Sequence, residues 1–303
     1  MKTKTSKPAT PFRCAAATVA DVFDWYRANS PTRIQTGTGE RERLRLYKML
    51  AEVIGPVSCS ECRPHHLLTF INERASENAW TRRRWNATLQ RPFNYATRLG
   101  LIPNNPFKGL AFPEGENGRD WTDDEYRALL RAAKPHMRRV IVMIRFSGMR
   151  PGEVRGLEWK HVDVAAGAIV LDKHKTVAKT KKSRLIPLNT VTVKLLAWLR
   201  RNHLPRARQI FLNSFFRPWS CKALTKTVQA IREKVGLGDD VKLHGGRHTF
   251  ATGAILAGVD VGTLAELLGH GRIMTTQRYV HLAGKVDHLS DAMERAIHGA
   301  RQK

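Results

Sequence analysis

Apolar positions recur at helical spacing through the first hundred residues. Val22, Phe23 and Tyr26 share one helical face, as do Leu44, Tyr47 and Leu50 with Val53 and Ile54. Leu67, Leu68 and Ile71 open a third helix. Trp85, Leu89, Phe93, Ala96 and Leu99 mark a fourth, with Gly100 placed to cap it. Pro92 falls inside that pattern, where its ring removes a backbone donor and predicts a kink. The pattern breaks at Ile102-Pro103-Asn104-Asn105-Pro106 and again from Pro113 through Gly118, a composition that predicts an exposed linker. The expected organisation is a basic flexible arm over 1–14, an all-helical domain over 15–107, a linker over 108–120 and a second domain over 121–303.

The second domain opens on Thr122-Asp123-Asp124-Glu125, a capping box in which Thr122 caps and Glu125 reaches back. Val140–Phe146 reads as a buried helix ending at Ser147-Gly148, and Pro151 suits the first position of the next helix, whose inner face is Val154 and Leu157. Ile169-Val170-Leu171 and Arg184-Leu185-Ile186-Pro187-Leu188 predict two short strands, joined as a hairpin by the Lys-rich segment Lys173–Lys182. Helices return at Thr190–Arg201 and Lys222–Val235 and dominate to the end. Ala254–His270 has the outline of a helix-turn-helix, with Gly258 at the turn, and is read as domain core. The tail residues Val286, Leu289, Met293 and Ile297 form an apolar helical stripe. The expected fold class is mainly α with a small β-sheet: an all-helical N-terminal domain followed by an α+β second domain.

Charge changes this picture from a fold to a partner. The 303 residues carry 52 Lys+Arg against 26 Asp+Glu, a formal net charge of +26. Such a surplus suits a polyanion, because cationic side chains on phosphates release condensed counterions. The face bearing Arg82, Arg83, Arg84 and Arg91 would meet DNA on this reading. With 42% hydrophobic and 26% charged residues the chain reads as globular. Its longest wholly apolar runs, five residues as in Val140–Ile144, are far short of the ~20 residues of a bilayer-spanning helix. Pro8, Pro11 and Arg13 interrupt any signal-like apolar core, and four cysteines are too few for a disulfide framework, which fits a reducing compartment.

Four scattered pieces carry candidate chemistry. They are Ser147-Gly148-Met149-Arg150-Pro151-Gly152-Glu153-Val154; Lys179-Thr180 before Pro187; His244-Gly245-Gly246-Arg247-His248-Thr249-Phe250-Ala251-Thr252; and Leu268-Gly269-His270 with Thr276-Gln277-Arg278-Tyr279-Val280-His281. In residue type, order and spacing this set resembles the tyrosine recombinase (phage integrase) family across the whole second domain. The helical first domain and its Asn105-Pro106 exit look like that family's core-binding domain.

The resemblance implies phosphodiester transesterification, and the residue types suit it. The transition state spreads negative charge over non-bridging oxygens, so positioned cations supply most of the stabilisation. Arg150 and Arg247 are the expected clamp, because a guanidinium donates two parallel hydrogen bonds to phosphate. By resemblance Tyr279 is the nucleophile that forms a covalent 3′-phosphotyrosyl link, His244 assists its proton transfer and His270 hydrogen-bonds the scissile phosphate. Glu153 orients Arg150 or a histidine, or is simply an acid favoured at a helix N-terminus. A hairpin lysine protonates the leaving 5′-hydroxyl in this family; among Lys173, Lys175, Lys179, Lys181 and Lys182, the Lys179-Thr180…Pro187 spacing selects Lys179.

The chain departs from the family pattern twice. Gly246 stands where a bulky apolar residue, commonly Leu, precedes the second arginine, at ~1 kcal/mol of helix propensity. Ser147-Gly148 replaces the commoner Thr-Gly. Elsewhere, Cys59 and Cys62 with His65 and His66 have zinc-ligand chemistry, but the family fills this segment without metal. Gly37-Thr38-Gly39 lacks the rest of a dinucleotide fingerprint. The expectation is a site-specific DNA recombinase or integrase of the mobile-element type, cytoplasmic and DNA-associated. It would need no cofactor or metal and would act as a homo-tetramer on two double-stranded DNA sites, away from membranes. The alternatives are a type IB topoisomerase-like relaxing enzyme and a non-catalytic DNA-binding regulator.

Overall fold

The computed structural model describes residues 17–30, 38–114, 118–171, 184–202, 207–270 and 274–277. The chain divides into two compact units, Met1–Glu116 and Asn117–Lys303, each with its own core. The basic arm, the Lys173–Lys182 segment and the apolar tail stripe lie outside the described residues.

The first unit holds four helices, α1 (Val19–Asn29), α2 (Thr38–Ile54), α3 (Pro64–Arg74) and α4 (Ala79–Arg98). Thr18 and Asp21 form a reciprocal capping box on α1, and Asn78 caps α4 through Thr81 N at 3.2 Å. Val22, Leu50, Leu67, Ile71, Leu89 and Phe93 are fully buried, as their spacing predicts. Two positions of those stripes turn outward instead: Val53 and Leu99 are about half exposed. Leu99 is already the C-cap of α4, where the chain leaves its helical face for the left-handed Gly100. Helix α4 runs unbroken through the buried Pro92. Of its four face arginines, Arg83 pairs with Glu114 and Arg84 with Glu42, so part of that charge is matched internally.

The Pro- and Asn-rich stretch after α4 is not the exposed linker its composition suggests. Ile102, Asn105 and Phe107 are buried, and Leu110 and Phe112 pack on the same core. The physical reason is the side chain of Asn105. It donates to Gln90 Oε1 at 3.0 Å and to Asn94 Oδ1 at 2.8 Å while accepting from Phe107 N at 2.9 Å. A satisfied amide can be buried at little cost, and it seats Phe107 edge-on against Phe93 at 4.9 Å. Phe93→Ala should therefore destabilise the first unit by ~3–5 kcal/mol, measured as a lower urea midpoint. Cys59 and Cys62 also lie in this core, and burial pushes the Cys59 thiol up to about 12. Among the described residues no group of three or more His, Cys, Asp or Glu is arranged to hold a metal ion.

The second unit begins with α5 (Asp123–Ala132), α6 (Pro135–Ser147) and the short α7 (Pro151–Arg155). A three-stranded antiparallel sheet follows, β1 (Val162–Asp163), β2 (Ala168–Leu171) and β3 (Arg184–Pro187), in the order β1-β2-β3. This adds one strand to the expected hairpin. The β2–β3 register pairs Ile169 with Ile186 and Leu171 with Arg184. Helices α8 (Thr190–Arg201), α9 (Cys221–Val235), α10 (Leu243–Leu256), α11 (Val261–Leu268) and α12 (Met274–Gln277) complete the described residues. Helix α6 is the centre of the core, its Val140, Ile141, Met143 and Ile144 fully buried. Helices α10 and α11 enclose a smaller cluster of Ala251, Ile255, Leu264 and Leu268, with the left-handed Gly258 at the turn between them. No described helix is long and apolar enough to cross a membrane.

Candidate active site

Helix α11 ends at Gly269, whose left-handed conformation (φ +63°) stops the helix and turns its last carbonyls outward. A helix C-terminus leaves unsatisfied C=O groups and carries a partial negative charge. Three guanidiniums fill this one helix end. Arg184 donates to Leu267 O, Arg247 to Leu268 O at 2.6 Å, and Arg150 to Gly269 O at 3.1 Å. Consecutive carbonyls thus collect cations from β3, α10 and the turn before α7.

Each arginine reaches this end for a local reason. Helix α6 stops at Gly148 (φ +61°), and Pro151 at the first position of α7 holds Arg150 in extended backbone as the N-cap. Arg247 is 1% exposed, and its other Nη donates to Gly148 O at 2.6 Å, so it ties the end of α6 to the end of α11. Arg184 opens β3, and strand alternation points it inward with Ile186 while Leu185 faces out. Its side chain lies where a Cβ on residue 269 would fall, 2.5 Å from Cδ. Glycine at 269 therefore serves both the turn and the arginine beneath it.

Glu153 holds two of the three cations. Its Oε1 accepts from Arg150 Nη1 at 2.8 Å, while Oε2 accepts from Arg150 N at 2.8 Å and Arg184 Nη1 at 2.6 Å. Burial raises its pKa, but Arg184 and then Arg150 outweigh that and hold the carboxyl below its ordinary range. Burial conversely pulls Arg184 below the usual guanidinium value, against Glu153. Glu153 thus both caps α7 and orients Arg150, two roles that the sequence offered as alternatives.

His270 follows Gly269 directly. Its Nε2 lies 2.9 Å from Arg247 Nη2 and its Nδ1 2.7 Å from Thr276 Oγ1. A guanidinium only donates, so Nε2 accepts and the ring proton sits on Nδ1, donated to the fully buried Thr276. His244 stands exposed on the first turn of α10, three residues before Arg247, with its ring edge-on to buried His248 at 4.9 Å. Arg150, Glu153, Arg247 and His270 are thus brought together by contact. Lys179 and Tyr279 lie outside the described residues.

Two participants escaped the sequence reading. Arg184 was read as the edge of a strand, although its phase with Ile186 already placed it on the buried face. Thr276 sits in no local pattern that reveals its bond to His270. The Ser147 departure has a simple account: its hydroxyl donates to Met143 O at 2.6 Å and accepts from Met149 N at 3.2 Å, work that any β-hydroxyl can do.

Comparison with known proteins agrees with this geometry. The chain is 29% identical over 201 residues to tyrosine recombinase XerC of Pseudomonas entomophila (strain L48), covering 63% of this chain and 65% of that protein. It is 30% identical over 208 residues to XerC of Yersinia pestis, covering 65% and 66%. The chain thus spans just under two thirds of the length of these relatives. Among solved structures, the fold matches the Tn1549 transposon integrase in complex with transposon right end DNA at a TM-score of 0.72, with 20% identity over 92% of this chain and 99% of that one. It also matches a lambda integrase tetramer bound to a Holliday junction at 0.70, with 17% identity over 88% and 78%. The sequence profile of the phage integrase family matches residues 119–285, which takes in every candidate residue from Arg150 to Tyr279. The chain belongs to the phage integrase family, the tyrosine recombinases.

Proposed function

We propose that this chain is a site-specific DNA recombinase that cuts and rejoins strands through a 3′-phosphotyrosyl intermediate. The observation that carries the reading is the set of three guanidiniums docked on the end of α11 beside His270. Fixed cations that need no reorganisation are what a phosphoryl-transfer transition state requires. Arg150 and Arg247 contact the non-bridging oxygens, while Arg184, buried behind Glu153, positions Arg150.

Tyr279 stands two residues beyond Gln277 and three beyond Thr276, whose hydroxyl is already bonded to His270. Its phenolate oxygen bonds to phosphorus, the P–O5′ bond breaks, the phenolic proton passes to His244, and Lys179 supplies the proton of the departing 5′-hydroxyl. Rejoining runs the same steps in reverse, so the bond energy is kept without a nucleotide cofactor. A phosphate oxygen at His270 Nε2 can only accept, so binding it requires a proton there while Thr276 keeps the one on Nδ1. The active assembly on this reading is four copies on two duplexes, a copy number supported by the lambda integrase tetramer bound to a Holliday junction.

Incubation with a nicked suicide duplex tests the proposal. The expected result is a covalent protein–DNA adduct from the wild type and none from Tyr279→Phe. Equal adduct from both proteins would remove Tyr279 from the chemistry.

A further inference from the structure

We propose that Trp121 is a positioning residue for Arg247, supplying across space the bulk that Gly246 lacks in sequence. The catalytic part of this inference rests on the recombinase reading above; the packing part does not. Trp121 is 3% exposed and lies along the first turn of α10. A Cβ on Gly246 would stand 2.5 Å from Cζ3 and 2.7 Å from Cη2 of the indole. One on Gly245 would stand 2.6 Å from Nε1 and 2.7 Å from Cδ1. Both edges of the ring therefore press on a Gly-Gly pair, at distances that no side chain at either position could share.

Trp121 is held through both its side chain and its backbone. Its Nε1 donates to Lys242 O at 2.9 Å, and the Trp121 backbone N donates to Thr249 Oγ1 at 2.8 Å. Lys242 and Thr249 are seven residues apart, about two helical turns, so Trp121 as a whole splints the stretch from which Arg247 projects. Thr249 in turn donates to Gly245 O at 3.0 Å. The preceding residue pair is fixed as well, because Arg119 donates to both oxygens of Glu125, at 2.6 and 2.8 Å, and to Asp240. Two adjacent glycines make a helix start that is weak by itself. Arg247 follows at once and must present both Nη groups to carbonyls at the ends of two other helices, each at 2.6 Å. The splint keeps that aim.

The proposal predicts a size exchange between positions 121 and 246, tested with Trp121→Ala, Gly246→Leu and the double variant. On the nicked duplex each single variant should form adduct ~30-fold more slowly or worse, since misplacement by about an ångström costs ~10²-fold. Duplex affinity should stay within ~3-fold, because no phosphate-facing charge is removed. The double variant should recover at least ~10-fold over either single one, the mark of a direct coupling. Gly246→Ala gives a milder reading by thermal melting. Alanine ordinarily stabilises a helix relative to glycine, yet here it should lower the Tm in the wild-type background and raise it beside Trp121→Ala. A double variant no faster than the slower single one, or Gly246→Ala raising the Tm in both backgrounds, overturns the pairing. If the wild type forms no adduct, the recombinase reading fails instead, and the melting cycle still decides whether Trp121 and residue 246 are coupled.

Discussion

Arg247→Lys should slow adduct formation by ~10²–10³-fold, the usual cost of losing one preorganised donor from an oxyanion site. Lysine keeps the charge, so duplex affinity should change little. What it loses is the fork. Arg247 spans Gly148 O and Leu268 O with separate nitrogens, each at 2.6 Å, and also meets His270. A single ammonium cannot sit at both carbonyls, so one buried acceptor is left without its donor at ~1–3 kcal/mol. The variant should therefore show a lower Tm together with the lost rate. A lysine variant cleaving within tenfold of the wild type would show that the guanidinium geometry is not what the reaction uses.

Glu153→Ala should destabilise the second unit by ~3–5 kcal/mol at neutral pH, because it strands buried positive charge. Arg184 has a side chain 3% exposed and Arg150 one 20% exposed, and both rely on this carboxylate. The folded carboxyl sits below its ordinary pKa, so its contribution is complete above the unfolded value of ~4.3 and fades as the pH falls through the lower folded value. Urea unfolding of wild type and variant should thus differ most near pH 7 and converge in strong acid. A gap that stays constant down to the acid limit would mean that packing, not charge, carries the effect. Catalysis should fall too, since Arg150 loses the partner that sets its Nη1.

Much of this architecture is legible in residue order because periodicity reports burial. Phe23, Leu67, Leu89 and Phe93 declare the first core through 3.6-residue spacing, and Thr122 with Glu125 declares a helix start. Legibility fails where a single side chain reverses the meaning of local composition. Asn105 turns a Pro-Asn loop into a buried support through three amide hydrogen bonds, which composition cannot forecast. In the site, Arg150, Arg247 and His270 could be picked out because their motif spacing is fixed. Arg184 could not, because its partners lie at Glu153 and Leu267, far away in the chain. Gly246 reads in sequence only as a cost in helix propensity; that the space beside it is filled by Trp121 is visible only in three dimensions.

The cation sockets on α11 are made of main chain, and this bears on how such a protein tolerates mutational drift. A peptide oxygen exists whatever side chain its residue bears, so substitutions at Leu267 or Leu268 leave the acceptors of Arg184 and Arg247 in being as long as the helix end keeps its path. The demand on the sockets then falls on whatever sets that path, above all the left-handed Gly269. Where bulk moves from one residue to a distant one, as the pairing of Trp121 with Gly246 proposes, the sockets themselves are unchanged, because no socket atom belongs to either side chain.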